Sequence, residues 1–481
     1  MIEMDSRLMA DKILLELGHE PTTGQSMVID RLSTFITSST QVNTKPVFLL
    51  RGYAGTGKTT LVSSLVRVLP LAGLQSVLLA PTGRAAKVLA GYAQKQALTI
   101  HRKIYRPNAG SDGKMSMVLS ANPHKFTLFI VDEASMIPGP GTNADGGIYS
   151  HRDLMDDLIA YVFANEGCRL LLIGDDAQLP PVGADYSPAL DKEVLDKSYH
   201  LDVEMYELTE VVRQALDSGI LMNATRLRKH TGESKPVMPF FNLSGYADIK
   251  KIDGSSFEDA LNSCYSRFGV ENTAIITRSN KRANLFNNEV RARLLFRETE
   301  LSAGDIIMIT KNNYFWLPIG TRAGFIANGD MAEVRRIMHI GEMYGFRFAD
   351  VSIQLIDYPE QEVIEVKLLL DSMNANAPSM PQDEMQKLYE EILLDYSEIA
   401  SNSARMEKVK SNLYYNAIQA KFAYALTCHK TQGGQWDAVF IDHGYLTDEM
   451  VDASFIRWLY TAITRSTTEV YLVNFNDRFF E

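Results

Sequence analysis

The chain has 481 residues, 46% of them hydrophobic, with 48 Lys and Arg against 59 Asp and Glu for a formal net charge of −11. That composition excludes a disordered or fibrous chain, and its acidity argues against a protein coated in nucleic acid, though not against a local basic groove. Cys168, Cys264 and Cys428 lie too far apart for a disulfide framework or a cysteine-ligated zinc site. No apolar run approaches the roughly 18 residues of a membrane span, and Met1–Glu20 lacks the apolar core of a signal peptide. The expectation is a cytoplasmic, monomeric protein without membrane association, of about three domains.

Pro46–Arg51, Ser76–Ala80, Leu128–Val131 and Arg169–Gly174 are short apolar runs that read as buried parallel strands. Lys58–Leu69 and Gly83–Ala93 lie between them as crossover helices, so the first half predicts an open α/β sheet. Arg102–Pro107 and Met115–Ser120 flank a Gly-containing turn and read as a β-hairpin. Near Leu201 the rhythm changes. It restarts with Thr273–Thr277, Ala438–Asp442 and Val470–Asn474 as strands of a second α/β sheet. Gly304–Lys367 interrupts that sheet with short alternating β patterns, a small barrel or sandwich, and Pro381–Ser411 is a charged helical stretch.

Gly52-Tyr53-Ala54-Gly55-Thr56-Gly57-Lys58-Thr59 fits G-x-x-x-x-G-K-[ST] directly after a strand and at the start of a helix. Its glycines let successive N–H groups turn toward phosphates, and the helix N-terminus adds partial positive charge. Gly52, Gly55, Thr56, Gly57, Lys58, Thr59 and Thr60 are therefore candidate nucleotide-binding residues. Lys58 would reach the β- and γ-phosphates, and Thr59 would place its hydroxyl on Mg²⁺. Asp132-Glu133 follows the Leu128–Val131 strand, where one carboxylate can hold Mg²⁺ and its neighbour can polarise the attacking water. The expected cofactors are ATP and Mg²⁺.

Gly174-Asp175-Asp176-Ala177-Gln178-Leu179-Pro180-Pro181 follows the next strand. With Asp132-Glu133-Ala134-Ser135 it resembles motifs II and III of superfamily 1 helicases, particularly the RecD-like and Dda-like 5′→3′ branch (superfamily 1B). The resemblance continues in order. Gln25 looks like the adenine-reading Q motif, Ala80-Pro81-Thr82-Gly83 like motif Ia, and Thr99-Ile100-His101-Arg102 like the strand-contacting segment after it. Leu208-Thr209-Glu210 with Arg213 looks like a motif that places an Arg on the γ-phosphate. Thr277-Arg278-Ser279-Asn280 resembles the motif opening the second domain, and His429-Lys430-Thr431-Gln432-Gly433 resembles motif V. Tyr460-Thr461-Ala462-Ile463-Thr464-Arg465 resembles motif VI, whose Arg is the arginine finger.

The fold class this implies is α/β: two RecA-like parallel-sheet domains with a β-hairpin (1B) and an SH3-like β-barrel (2B) insertion. The expected division is domain 1A over 1–101 and 127–203, the 1B pin over 102–126, domain 2A over 204–326 and 423–481, and 2B with its helical segment over 327–422. Lys58, Glu133, Gln178, Arg213 and Arg465 are the expected catalytic residues, with Gln25, Asp132 and Gly433 also at the nucleotide. The expected nucleic-acid track comprises Pro81, Thr82, Thr99, His101, Tyr105, Thr277, Arg278, Asn280, His429, Thr431 and Trp436. Within it, Tyr105 and Trp436 are candidates for stacking on bases. Arg84, Lys87, Arg102, Lys103, Arg106, Arg278, Lys281 and Arg282 would line a basic channel.

The implied function is ATP-dependent 5′→3′ translocation on single-stranded DNA with unwinding of duplex or fork DNA. Single-strand-binding, replication or recombination proteins are the implied partners. An RNA helicase or nucleoprotein remodeller of the same superfamily shares motifs I–III. A P-loop small-molecule kinase would need neither motif V nor a second sheet carrying Arg465. Gln435-Trp436 and the Pro138–Gly147 loop depart from the family pattern.

Overall fold

The computed structural model describes residues 5–39, 44–109, 115–139, 153–212, 217–233, 238–317 and 325–480. Strands β1 (Pro46–Gly52), β2 (Gln75–Ala80) and β3 (Ala97–Thr99) come first, followed by a hairpin of β4 (Tyr105–Ala109) and β5 (Met115–Leu119). Next in the chain are β6 (Thr127–Val131), β7 (Arg169–Gly174) and β8 (Asp202–Leu208). Apart from the hairpin these build one parallel sheet in the order β3-β2-β6-β7-β1-β8.

Alternate residues of a strand face opposite sides, so each apolar run feeds two cores. Phe48, Leu50, Leu128, Ile130, Leu171 and Ile173 pack on one face. Val47, Leu49, Phe129, Val131, Leu170 and Leu172 pack on the other. Helices cover both faces, which is why these strands are apolar in continuous runs rather than alternating. The helix Lys58–Val68 turns Leu61, Val62, Leu65 and Val66 inward.

The hairpin is shorter than its sequence pattern predicts, because Arg102–Ile104 is helical. The Thr99 hydroxyl caps that turn, accepting from the Arg102 N–H at 3.2 Å, and Ile100 and Ile104 bury on one side at i,i+4 spacing. The hairpin tip falls outside the described residues, as do residues 140–147 of the expected Pro138–Gly147 loop and Arg213.

The second sheet is also parallel, in the order β16-β10-β17-β18-β9, from β9 (Ile249–Ile252), β10 (Thr273–Thr277), β16 (Ala425–Thr427), β17 (Trp436–Asp442) and β18 (Ser466–Val473). Between β10 and β16 the chain closes a five-stranded barrel from β11 (Ile306–Ile309), β12 (Met331–Met343), β13 (Phe346–Leu355), β14 (Ile364–Leu369) and β15 (Ile418–Phe422). Helices Gln382–Leu394 and Asn402–Lys410 occupy the connection before β15. The barrel and the second sheet share one core, joining Ile275 and Phe440 to Ile307, Val351 and Phe422. Two sequence-derived limits shift: β8 carries the first sheet past residue 203, and β11 enters the barrel ahead of residue 327. The first of these strands is mixed in polarity, so periodicity alone does not place it, whereas the second lies within the Gly304–Lys367 run of alternating β patterns.

Candidate nucleotide site and strand-facing loops

In a parallel sheet the loops at the carboxyl ends of the strands gather ligands where the strand order reverses. Here β1 ends in the P-loop, β6 in Asp132-Glu133 and β7 in Gly174-Asp175, and these three strands are neighbours in the order β6-β7-β1. Their loops surround a cavity of about 400 Å³. Gly55, Gly57, Lys58, Thr59 and Thr60 line it from the P-loop, and Asp132, Glu133, Asp175 and Gln178 line it from the next two strand ends. Gly433 and Arg465 close it from the second sheet.

Gly57 has φ +81°, and a Cβ there would lie 2.3 Å from the Gln25 Nε2, so both backbone and space demand glycine. Gln25 itself is fully buried. Its Oε1 accepts from the Thr22 N–H at 3.0 Å in a capping box, and its Nε2 donates to the Thr56 carbonyl at 3.1 Å. The amide thus links the cap of its own helix to the P-loop. The Lys58 ammonium donates to the carbonyls of Gly52 at 2.6 Å and Tyr53 at 2.8 Å.

Burial, reinforced by the adjacent Glu133, raises the Asp132 pKa above the usual carboxylate range, and Lys58 and Arg465 partly oppose that rise. Burial likewise pushes Asp175 up. Glu133 is held at φ +53°, a left-handed conformation that non-glycine residues rarely adopt; such outliers cluster at functional sites. Its carboxylate stands 3.7 Å from the guanidinium of Arg465, which is only 4% exposed. Arg465 also donates through Nε to the Thr461 carbonyl at 3.1 Å. Gln178 is buried against the cavity, and its Oε1 has no partner among the described residues.

A second set of contacts spans the cleft. Tyr460 donates to Asp175 at 2.6 Å and accepts from the Ala54 N–H at 2.9 Å. Leu179 N–H donates to the Thr461 hydroxyl at 2.9 Å, and Gln432 donates to the Leu179 carbonyl at 2.6 Å. Arg457 holds the carbonyl of Asp176. Sequence reasoning gave Asp175, Tyr460, Thr461 and Arg457 no individual role. Asp175 carried a usable signal, a carboxylate directly after an apolar strand, the same one that singled out Asp132.

The expected nucleic-acid residues divide. His429 and Arg278 are exposed, and Pro81, Thr82, His101 and Asn280 are half-buried on loops or helix starts. Thr82 caps the helix Gly83–Ala93, accepting from the Ala85 N–H, and Gly433 packs against that same turn. The others are committed inside the protein. Thr99 is 2% exposed as a helix cap, Thr277 and Thr431 are fully buried, and the Thr431 hydroxyl donates to the Cys428 carbonyl.

Two stacking assignments are corrected. Tyr105 is buried with its hydroxyl donating to Asp157 at 2.7 Å. Trp436 is 3% exposed, and the Arg84 guanidinium covers its ring at 4.0 Å. An aromatic at the base of a hairpin or the start of an interior strand contributes more by burial than it would exposed to water.

The basic cluster divides the same way. Arg102 pairs with Asp330 of the barrel at 2.9 Å with side chains 3% and 0% exposed, Arg282 pairs with Asp442, and Lys103 contacts His124. Such contacts tie neighbouring elements of the fold to one another, whereas Lys87, Arg106, Arg278 and Lys281 are exposed.

The AAA domain family profile matches residues 34–237, and that of the UvrD-like helicase C-terminal domain matches residues 422–473. The two matches contain the P-loop, Asp132-Glu133 and Gln178 on one side and Gly433 and Arg465 on the other. The ATP-dependent RecD2 DNA helicase of Deinococcus radiodurans is 33% identical over 177 residues, 37% of this chain and only 21% of that relative. The ATP-dependent DNA helicase dda of Enterobacteria phage T4 is 22% identical over 88% of this chain and 93% of its own length. A crystal structure of Pif1 helicase from Bacteroides with ADP-AlF3 and ssDNA is 15% identical, covers 96% of this chain and 95% of its own, and has a TM-score of 0.46. The P-loop sheet thus falls within a match to the AAA domain family and Arg465 within a match to the UvrD-like helicase C-terminal domain, and the chain is similar along part of its length to ATP-dependent DNA helicases.

Proposed function

We propose that this protein is a monomeric motor that moves 5′→3′ along single-stranded DNA and unwinds duplex ahead of it, using Mg²⁺-ATP hydrolysis between its two sheets. The observation that carries this reading is Arg465, supplied by the second sheet, lying 3.7 Å from Glu133 over the P-loop cavity of the first. A γ-phosphate entering there would compete with Glu133 for the guanidinium. Glu133 would then be free to accept a proton from the attacking water. Lys58 would exchange its two loop carbonyls for phosphate oxygens. Release of the cleaved phosphate after hydrolysis removes the charge that holds Arg465, and the cleft relaxes.

The 5′→3′ direction rests on the RecD-like branch. Domain 1A then extends through β8 and the barrel begins at β11, with the hairpin as the strand-splitting pin. Three free, buried cysteines support a reducing, cytoplasmic setting.

The donor set suits Mg²⁺. The Thr59 hydroxyl and the Asp132 carboxylate face one cavity, and Mg²⁺ takes one or two protein oxygens beside phosphate and water. The ion's contribution when bound is to neutralise phosphate charge. Asp132 must lose its proton to serve, and its raised pKa sets the direction of a pH effect. At subsaturating Mg²⁺, kcat/KM falls as pH drops toward a carboxyl pKa above the roughly 4 of an ordinary aspartate. Raising Mg²⁺ moves the inflection to lower pH, because metal and proton compete. An inflection that ignores Mg²⁺ removes Asp132 from this role.

Steady-state ATP hydrolysis measured without nucleic acid, with single-stranded DNA and with RNA of matched sequence tests the whole reading. Stimulation by DNA alone is expected. Equal or greater stimulation by RNA replaces DNA as the track, and no stimulation by either ends the motor reading.

A further inference from the structure

The proposed motor needs its two sheets to meet in one register each time the cleft closes, and one side chain at that junction belongs to neither the nucleotide nor the strand. Tyr460 lies on the helix Ala453–Ile463 of the second sheet and is 1% exposed. Both hydrogen bonds of its hydroxyl cross to the first sheet. It donates to Asp175 Oδ2 at 2.6 Å and accepts from the P-loop N–H of Ala54 at 2.9 Å. The other carboxylate oxygen of Asp175 accepts from the Ala177 N–H of its own loop at 3.0 Å. That turn carries Gln178 to the cavity.

The C-terminal side of Tyr460 is equally constrained. The Tyr460 carbonyl accepts from the Thr464 N–H at 3.2 Å and from the Thr464 hydroxyl at 2.9 Å. Arg465 Nε is held by the carbonyl of Thr461, and the Thr461 hydroxyl is itself docked on Leu179 N–H. The turn that aims the guanidinium therefore begins at the residue whose hydroxyl touches the P-loop and the Asp175 loop together. Burial beside Asp175 holds the phenol's pKa well above its ordinary value, so it stays a donor through the working pH range.

We infer that Tyr460 is a positioning residue for hydrolysis: its hydroxyl registers the finger-bearing turn against the P-loop and the Asp175–Gln178 loop, and thereby sets the approach of Arg465 to the γ-phosphate. That hydroxyl is committed to protein as donor and as acceptor, so its effect on rate passes through Arg465. This rests on the reading of Arg465 as the finger, and the test separates the two.

Single-turnover hydrolysis of radiolabelled ATP in the presence of DNA is measured for the full chain, Tyr460→Phe, Arg465→Ala and the double variant. Phenylalanine keeps the buried ring and removes only the hydroxyl. A misplacement of about 1 Å costs roughly 100-fold, so Tyr460→Phe is expected to lower the rate roughly 10- to 100-fold with half-saturation by ATP within about twofold. Placed on Arg465→Ala, the same change is expected to cost less than about twofold, because residues that act as a unit are not additive.

Equal losses in both backgrounds overturn the inference and leave the finger assignment intact. So does an unchanged rate in Tyr460→Phe, or a loss confined to ATP affinity. A normal rate in Arg465→Ala overturns the finger reading and this inference with it. Thermal unfolding run in parallel guards against a folding defect. Should Tyr460→Phe unfold early, Asp175→Asn serves instead: its single amide oxygen cannot accept from both the Tyr460 hydroxyl and the Ala177 N–H. Its rate loss is expected to shrink to less than about twofold on Arg465→Ala, and equal losses in both backgrounds overturn the inference.

Discussion

Replacing Arg465 with Ala lowers DNA-stimulated turnover roughly 10³- to 10⁵-fold, the range in which arginine fingers act on phosphoryl transfer. The geometry supports that large value. Arg465 is almost completely buried, and its guanidinium is fixed by Thr461 and by the carboxylate of Glu133, so little reorganisation is needed when phosphate arrives. ATP binding should survive within several-fold, because Lys58 and the P-loop amides are on the other sheet. Titration with a fluorescent ATP analogue measures that separately from turnover. Arg465→Lys should recover only part of the rate, since a lysine restores the charge without the planar fork. Near-normal hydrolysis in the Ala variant would remove Arg465 from the finger role.

The parts of this site contributed by the first sheet were legible in the sequence because each follows a short apolar strand. Leu128–Val131 announces Asp132, and Arg169–Gly174 announces Asp175 and Gln178, because a strand buried on both faces is apolar in a continuous run. The P-loop glycines are legible for a related reason, since Gly57 meets Gln25 at a distance no side chain tolerates.

Contacts made across the cleft were not legible. Nothing local to Tyr460 says that its hydroxyl lies beside Ala54, some 406 residues away. Tyr105 and Trp436 show the converse error. An aromatic in a strand-contacting motif suggests stacking, yet tertiary packing claims both, Tyr105 through Asp157 and Trp436 through Arg84. Arg102 was expected to meet phosphate, and the barrel's Asp330 takes it instead. Charge type is visible in a sequence, whereas the partner of a charge depends on how the units pack.

Lys58→Ala abolishes detectable hydrolysis while single-strand affinity stays within about twofold. The lysine is half-buried, and in this structure it bonds the carbonyls of Gly52 and Tyr53. Its removal leaves those two carbonyls without that donor, and each lost bond to a charged donor costs about 1.5–3 kcal/mol at most. The fold is expected to persist, as a melting curve would show. Catalysis has no substitute, because Lys58 is the one lysine lining the cavity among the described residues, and charge developing between the β- and γ-phosphates needs an ammonium there. The substitution also carries an electrostatic signature. Lys58 opposes the upward shift of both Asp132 and Asp175. Without it, both carboxyls should titrate at still higher pH, since an opposite charge that favoured the ionised form is gone. Mg²⁺-dependent binding of an ATP analogue, followed against pH, would then inflect at higher pH in Lys58→Ala than in the parent chain. An unchanged inflection would place Lys58 away from the metal-binding carboxylate, and detectable DNA-stimulated hydrolysis in the variant would remove it from the phosphate.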